Sequence, residues 1–166
     1  IPPNLQRSNF AFEKWNDWDQ ELFDIIEESV TKKINKIDCN IFGYDISNSI
    51  IRKCKKNIEQ SDIDLKIKVE TRDFFKSKKT NKDRLQIVVN PPYDKRIPTD
   101  FKSFYSEIGN TLKRNYDNTS SWILTANMEA IKYIGLRTSK RIKLFNSSLE
   151  SRFLNYQIYS GSKKEK

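Results

Sequence analysis

Leu85-Gln-Ile-Val-Val-Asn-Pro-Pro-Tyr93 is the stretch that decides the fold. Leu85 to Val89, apolar but for Gln86, reads as a run of the kind found in a central parallel strand, buried on both faces. It runs straight into Asn90-Pro91-Pro92-Tyr93. The strand has to stop there, because each proline removes an N–H donor and fixes φ. A buried strand that ends in a stiff, donor-poor turn places that turn at a carboxyl strand end. In doubly wound α/β sheets, ligands bind at such ends.

Downstream, Phe101, Phe104, Tyr105, Ile108 and Leu112 mark a helix at about 100–115. Trp122 to Thr125 reads as a strand, and Met128 to Tyr133 as a short helix. Arg141 to Phe145 and Leu149 to Tyr159 flank Asn146-Ser147-Ser148, which predicts an antiparallel hairpin. The tail from Ser160 to Lys166 is expected to fray.

Upstream, Lys76 to Arg84 is a polar, strongly basic stretch, expected as a mobile surface loop. Leu65 to Thr71 alternates as a strand that ends near Asp73. Ile50, Ile51, Cys54 and Ile58 form one stripe of a helix at about 47–60, with Ser47 as its N-cap. Asn40 to Tyr44 reads as a short buried strand that stops at Asp45. Trp18, Leu22, Ile25, Ile26, Val30 and Ile34 predict an amphipathic helix at about 17–35, capped by Asn16 or Asp17. Residues 1–15 form an irregular lead-in, with Pro2 and Pro3 outside any helix and Phe10, Phe12 and Trp15 as anchors. The alternation of helices and strands predicts an α/β fold: a mostly parallel sheet with helices on both faces and an antiparallel hairpin at its end. No repeat or linker interrupts it, so residues 1–166 are read as one domain.

The length, 166 residues, suits one domain. Lys and Arg number 31 against 22 Asp and Glu, a net charge of +9. The first 31 residues are acidic and the remainder basic, a balance that favours a polyanionic partner such as nucleic acid. No apolar run is long enough to span a membrane, and no signal segment opens the chain. With no histidine, Ser-His-Asp triads and H-E-x-x-H zinc sites are excluded, and no metal site is expected. Cys39 and Cys54 have neither zinc-ligand spacing nor disulfide density, and read as reduced, buried cysteines of a cytoplasmic protein.

Three carboxyl strand ends are candidate sites. Asp45 can accept hydrogen bonds from a pair of ribose hydroxyls, and Asp73 from an adenine amino group. Either aspartate can equally be a helix cap or turn residue. Asn90 to Tyr93 is more specific. The prolines leave carbonyls facing outward without a partner from the chain, Asn90 adds a side-chain acceptor, and Tyr93 adds a flat aromatic face. Together they suit a planar ligand that carries an exocyclic amine.

Asn90-Pro91-Pro92-Tyr93 resembles the N-P-P-Y motif of class I S-adenosylmethionine-dependent amino methyltransferases. More narrowly, the chain resembles the catalytic domain of the bacterial large-subunit ribosomal RNA guanine-N2 methyltransferases. Asn4 to Trp15, Gly43-Tyr44-Asp45-Ile46, Tyr105 to Leu112, and Arg141 to Tyr159 with its L-F-N-S-S-L-E core carry that resemblance over nearly the whole chain. It implies a Rossmann-like class I methyltransferase sheet with S-adenosyl-L-methionine as cofactor and ribosomal RNA as partner. By the same resemblance Asp45 holds the cofactor ribose and Asp73 the adenine amine, with Ile46 and Phe74 lining the adenine. Asn90 and the Pro91 carbonyl hold the target amine beside the cofactor, with Pro92 stiffening the turn, and Tyr93 stacks on a flipped base. Lys95 and Arg96 follow the loop and are candidates for phosphate contact.

The family's glycine-rich cofactor loop, D-P-x-C-G-S-G-T, has no counterpart here, since the four glycines stand at 43, 109, 135 and 161. The expectation is that this loop, the first strand and an RNA-binding THUMP domain precede Ile1 in a longer protein. Without that strand, apolar strand edges would be left uncovered. Two other functions fit the same residues: adenine N6 methylation of DNA or RNA, and a non-catalytic RNA-binding fragment.

Overall fold

A computed structural model describes residues 9–34, 39–61, 66–80, 82–92 and 100–160, and these fall into two compact units, Ile1–Arg72 and Asp73–Lys166.

The first unit opens with a 3-10 turn at Ala11–Lys14, followed by helix α1 (Gln20–Thr31), strand β1 (Asn40–Asp45), helix α2 (Asn48–Gln60) and strand β2 (Lys66–Thr71). The expected aromatic anchors do gather. Phe12 stacks on Phe10 with ring centroids 4.9 Å apart, and Trp18 lies 5.0 Å from Phe23. Helix α1 is capped by neither Asn16 nor Asp17. Asp19 accepts from the Leu22 N–H at 2.9 Å, because the chain before it is still held in a turn by Trp18 N–H donating to the Trp15 carbonyl. Leu22, Ile25, Ile26 and Val30 on α1 are all exposed. Strands β1 and β2 pair in parallel, from Asn40 opposite Lys66 to Asp45 opposite Thr71. Helix α2 buries Ile51. Ser47 occupies the N-cap position, but its hydroxyl pairs with that of Ser49 instead of the helix backbone. The cysteines are reduced, yet neither is fully buried: Cys39 is exposed and Cys54 half-buried. Cys39 stands just before β1.

The second unit contains a 3-10 turn at Phe74–Lys76, strand β3 (Leu85–Val89), helix α3 (Phe101–Asn115), strand β4 (Thr119–Thr125), a 3-10 turn at Ala130–Ile134, and strands β5 (Lys140–Asn146) and β6 (Leu149–Ile158). Its sheet runs β3-β4-β6-β5. Strand β3 is parallel to β4, while β6 is antiparallel to both β4 and β5. The hairpin therefore exists as read, with its second strand inserted against β4. One expectation needs correcting. Among the described residues β3 is bonded only to β4, and its exposure alternates, with Val88 64% exposed. An apolar run reports side-chain preference and says nothing about how many of a strand's edges are paired.

The core of this unit lies between α3 and one face of the sheet. The registers put Thr119, Ser121, Ile123 and Thr125 of β4 on the same face as Ile158, Tyr156, Leu154 and Arg152 of β6. Tyr105, Ile108 and Leu112 of α3 pack there with Ile123, Leu154 and Tyr156, while Ala130 and Ile134 complete the cluster. That stripe follows the helical period, which is why α3 is the most legible helix.

The basic stretch after β2 is pinned. Lys79 N–H donates to the Asn115 carbonyl at 2.9 Å, its ammonium to the Asp117 carbonyl at 2.9 Å, and the Asn115 amide to the Ser77 carbonyl at 2.9 Å. Ser77 is itself buried and bonded to the Tyr116 hydroxyl. Expecting a mobile loop ignored what a lysine can do at a helix C-terminus, where unpaired carbonyls accept it.

Candidate active site

In the first unit, β1 ends at Asp45, and its carboxylate accepts from the Ser47 N–H at 2.7 Å. The Asp45 carbonyl accepts from the Arg72 N–H at 2.9 Å, tying the end of β1 to the end of β2. The carboxylate is thus held through one oxygen, and its second oxygen can accept further hydrogen bonds. Ile46 stands beside it with 74% of its surface exposed, an apolar side chain that nothing in this unit covers among the described residues.

In the second unit, Asp73 acts as a cap. Its carboxylate accepts from the Phe75 N–H at 2.9 Å and lies 3.7 Å from the Lys76 ammonium. The turn reading of this aspartate is realised in the structure. Phe74 is half-buried and stacked on Tyr116 at 5.6 Å, so one face of its ring is already taken by the core.

Asn90 follows β3 directly and is exposed, Pro91 is buried, and Pro92 is half-buried. The turn is thus anchored by its proline while its amide side chain stands in solvent. One sequence expectation fails here. The Pro92 carbonyl does have a partner within the chain, because the Tyr105 hydroxyl on α3 donates to it at 3.4 Å. Tyr105 was legible only as a member of the apolar helix stripe; a hydroxyl buried under a donor-poor turn leaves no mark in periodicity. Tyr93, Lys95 and Arg96 lie outside the described residues.

Several basic residues of the hairpin are engaged by neighbouring side chains. Lys143 pairs with Glu150 at 2.6 Å and lies 5.0 Å from the Phe145 ring centroid, Arg152 pairs with Glu150 at 2.6 Å, and Arg141 Nε donates to the Thr138 hydroxyl at 2.8 Å. The hydrogen bond from Lys143, helped by the charges of Arg152 and Lys143, holds the Glu150 carboxyl below the usual glutamate value against a smaller desolvation penalty. Among the described residues no group of three His, Cys, Asp or Glu side chains is placed to hold a metal ion. No helix of the described residues is long and apolar enough to cross a membrane.

Parallel strands ending in Asp45 and in Asn90-Pro91-Pro92, with a terminal antiparallel hairpin whose last strand lies against β4, define a Rossmann-like class I methyltransferase fold. SMU.472, a protein assigned as a methyltransferase and solved in complex with SAH, superposes with a TM-score of 0.75 at 25% identity, over 93% of this chain and 41% of its own. A protein of Clostridium difficile 630 assigned as a methylase gives a TM-score of 0.74 at 25% identity, over 95% of this chain and 42% of its own. Residues 1–155 match the family model UPF0020, the RMKL-like methyltransferase domain, and the chain belongs to that family. Among curated relatives, the ribosomal RNA large subunit methyltransferase K/L of Hahella chejuensis is 31% identical over 96% of this chain and 23% of its own length. Its namesake from Cellvibrio japonicus is 27% identical over 95% of this chain and 22% of its own. The chain thus spans less than half the length of each of these relatives.

Proposed function

We propose that this chain is catalytic-domain sequence of an S-adenosylmethionine-dependent methyltransferase that modifies an exocyclic base amine, guanine N2 of large-subunit ribosomal RNA. The observation that carries this is the turn after β3: an exposed Asn90 on a buried Pro91, at the carboxyl end of a parallel strand. Membership in a methyltransferase-domain family and the name shared by the curated relatives support it.

The residues of the cofactor side fit in part. The Asp45 carboxylate, oriented by Ser47 N–H, suits a vicinal diol, and the exposed Ile46 suits a flat heteroaromatic ring. Asp73 and Phe74 are already occupied by local contacts, so their contribution is an edge hydrogen bond and one ring face. When bound, S-adenosylmethionine supplies a methyl group already activated as a sulfonium.

What remains for the protein is the nucleophile. The lone pair of a guanine amine is delocalised into the ring. The Asn90 side-chain oxygen and the Pro91 carbonyl would accept its two N–H bonds, favouring a pyramidal nitrogen whose lone pair is available. That pair would then be free to accept the methyl group the cofactor supplies, the sulfonium being released as a neutral thioether. The surplus proton then passes from nitrogen to solvent. No strong base is required before transfer, so the lack of histidine is no obstacle. In-line alignment supplies much of the remaining acceleration. Tyr93 would stack on the extruded base, and Lys95 and Arg96 would meet nearby phosphates.

The test is methyl transfer by the full-length protein from labelled S-adenosylmethionine to ribosomal RNA and to DNA, followed by nucleoside analysis. N2-methylguanine in the RNA is expected. N6-methyladenine without N2-methylguanine would overturn the choice of base, and no transfer to either polymer would overturn the enzymatic reading. Substituting Lys95→Ala with Arg96→Ala should weaken RNA binding and flatten its salt dependence by about two charges' worth of slope.

A further inference from the structure

A chain of buried hydroxyls runs beneath the Asn90-Pro91-Pro92 turn. The Tyr105 hydroxyl, on a residue with no exposed surface, donates to the Pro92 carbonyl at 3.4 Å and lies 2.6 Å from the Thr125 hydroxyl. Thr125, at the end of β4 and equally buried, accepts from the Asn127 N–H at 3.1 Å. A tyrosine has one proton to give. With that proton directed at the Pro92 carbonyl, Thr125 must donate to Tyr105, and its own oxygen is left to accept from Asn127. The hydrogen bonds therefore run one way, from Asn127 N–H through Thr125 and Tyr105 to the turn, and each polarises the next.

We propose that Tyr105 and Thr125 are positioning residues that set the direction of the amine-accepting carbonyl of Pro91. Pro91 and Pro92 have fixed φ and no N–H, so the ordinary means of anchoring a turn through backbone donors are missing at both positions. What is left free is ψ, and it is ψ that aims the carbonyls. Holding the Pro92 carbonyl from the helix side restrains the ψ of Pro92. With φ already fixed, that leaves the Pro91 carbonyl little freedom. The hydroxyls are not needed for packing: Phe101 and Phe104 supply ring surface on the same helix, and Tyr105 touches both edge-on or tilted. Burying two hydroxyls is costly unless both are bonded, and here the last bond in the series goes to the turn.

This inference rests on the proposed role of the turn, so the experiment separates the two. Tyr105→Phe and Thr125→Val each remove a hydroxyl and keep the shape. In the full-length protein, kcat for methyl transfer should fall about 10-fold for each, because a misaimed acceptor costs alignment more than binding. The dissociation constants for S-adenosylmethionine and for RNA should stay within about twofold of wild type. The double variant should be no slower than either single one, since the hydroxyls act as one series, and Thr125→Ser should keep near-wild-type kcat. An unchanged kcat in both single variants overturns the inference, whatever happens to their melting temperatures. If Asn90→Ala also leaves kcat unchanged, the role of the turn itself fails. If Asn90→Ala is inactive while Tyr105→Phe is not, only the positioning role fails. Should the protein transfer no methyl group, the Pro92 carbonyl carbon in proline-labelled protein still reports the clamp. An upfield shift in Tyr105→Phe is expected, and an unmoved resonance overturns it.

Discussion

Tyr156 is 1% exposed on the sheet face that carries α3, and its hydroxyl has no hydrogen-bond partner among the described residues. Burial, which disfavours the phenolate, pushes its pKa up to about 12, with Tyr105 adding to the effect and Arg141 opposing it. The sign of the pH effect follows. A phenol held neutral in the fold contributes fully below its unfolded value near 10, and that contribution is lost as pH rises through about 12. Tyr156→Phe removes an unpaired buried hydroxyl. Denaturant unfolding at pH 8 should find the variant as stable as wild type or up to about 1 kcal/mol more so. The variant's relative stability should then rise further at pH 11, where lysine titration affects both proteins alike. A difference that does not change with pH would contradict the burial of this phenol. Neither this hydroxyl nor the Tyr105 clamp was legible in the sequence. A tyrosine on an apolar stripe reads as core, and only the packed structure shows which hydroxyls find partners. The place of the Asn90-Pro91 turn directly after β3 was legible, because a proline pair stops a strand where it stands.

At the scale of elements, α3 and the 3-10 turn at Ala130–Ile134 meet at Gly109. A Cβ built there would lie 1.8 Å from the Ile134 carbonyl oxygen. Two effects compete in Gly109→Ala. Alanine is favoured over glycine inside a helix by about 1 kcal/mol, while forcing backbone apart in a packed interface costs up to about 3 kcal/mol or more. The clash is with backbone and cannot be relieved by a rotamer, so a net loss of about 2 kcal/mol or more is expected from the urea midpoint. A stabilised variant would mean the two elements are further apart. Gly135 closes the same turn at φ +64°, a left-handed conformation that suits glycine. The elements themselves were mostly legible, since α2, β2, α3 and the β5–β6 hairpin follow their periods closely. Two of the misses came from hydrogen bonding: Asp19 displaced Asp17 as a cap, and a lysine pinned a polar loop to a helix end.

At the scale of the molecule, burial is uneven. The contiguous apolar core belongs to Asp73–Lys166, whereas among the described residues of the first unit only Ile51 and Val69 are buried apolar side chains. Local opening costs least where few apolar contacts must break. Hydrogen exchange should therefore find amides of β4, β6 and α3 the slowest, with those of α1, β1 and β2 exchanging well before them. Equal protection in the two units would contradict this distribution. The order of strands was beyond sequence reasoning, because period 2 identifies a strand without naming its neighbours. Charge also remains coarse at this scale: +9 favours an anionic partner, but several hairpin cations are spent on Glu150 and Thr138.

The central claim is that the turn after β3 holds a guanine amine for methylation. It is tested most directly by nucleoside analysis of ribosomal RNA from cells lacking this protein, complemented with wild type or with Asn90→Ala. The N2-methylguanine content of large-subunit RNA should fall by a discrete amount on deletion, return with wild type, and stay low with Asn90→Ala expressed at equal level. Full restoration by Asn90→Ala, or an N2-methylguanine content that deletion never changed, would contradict it.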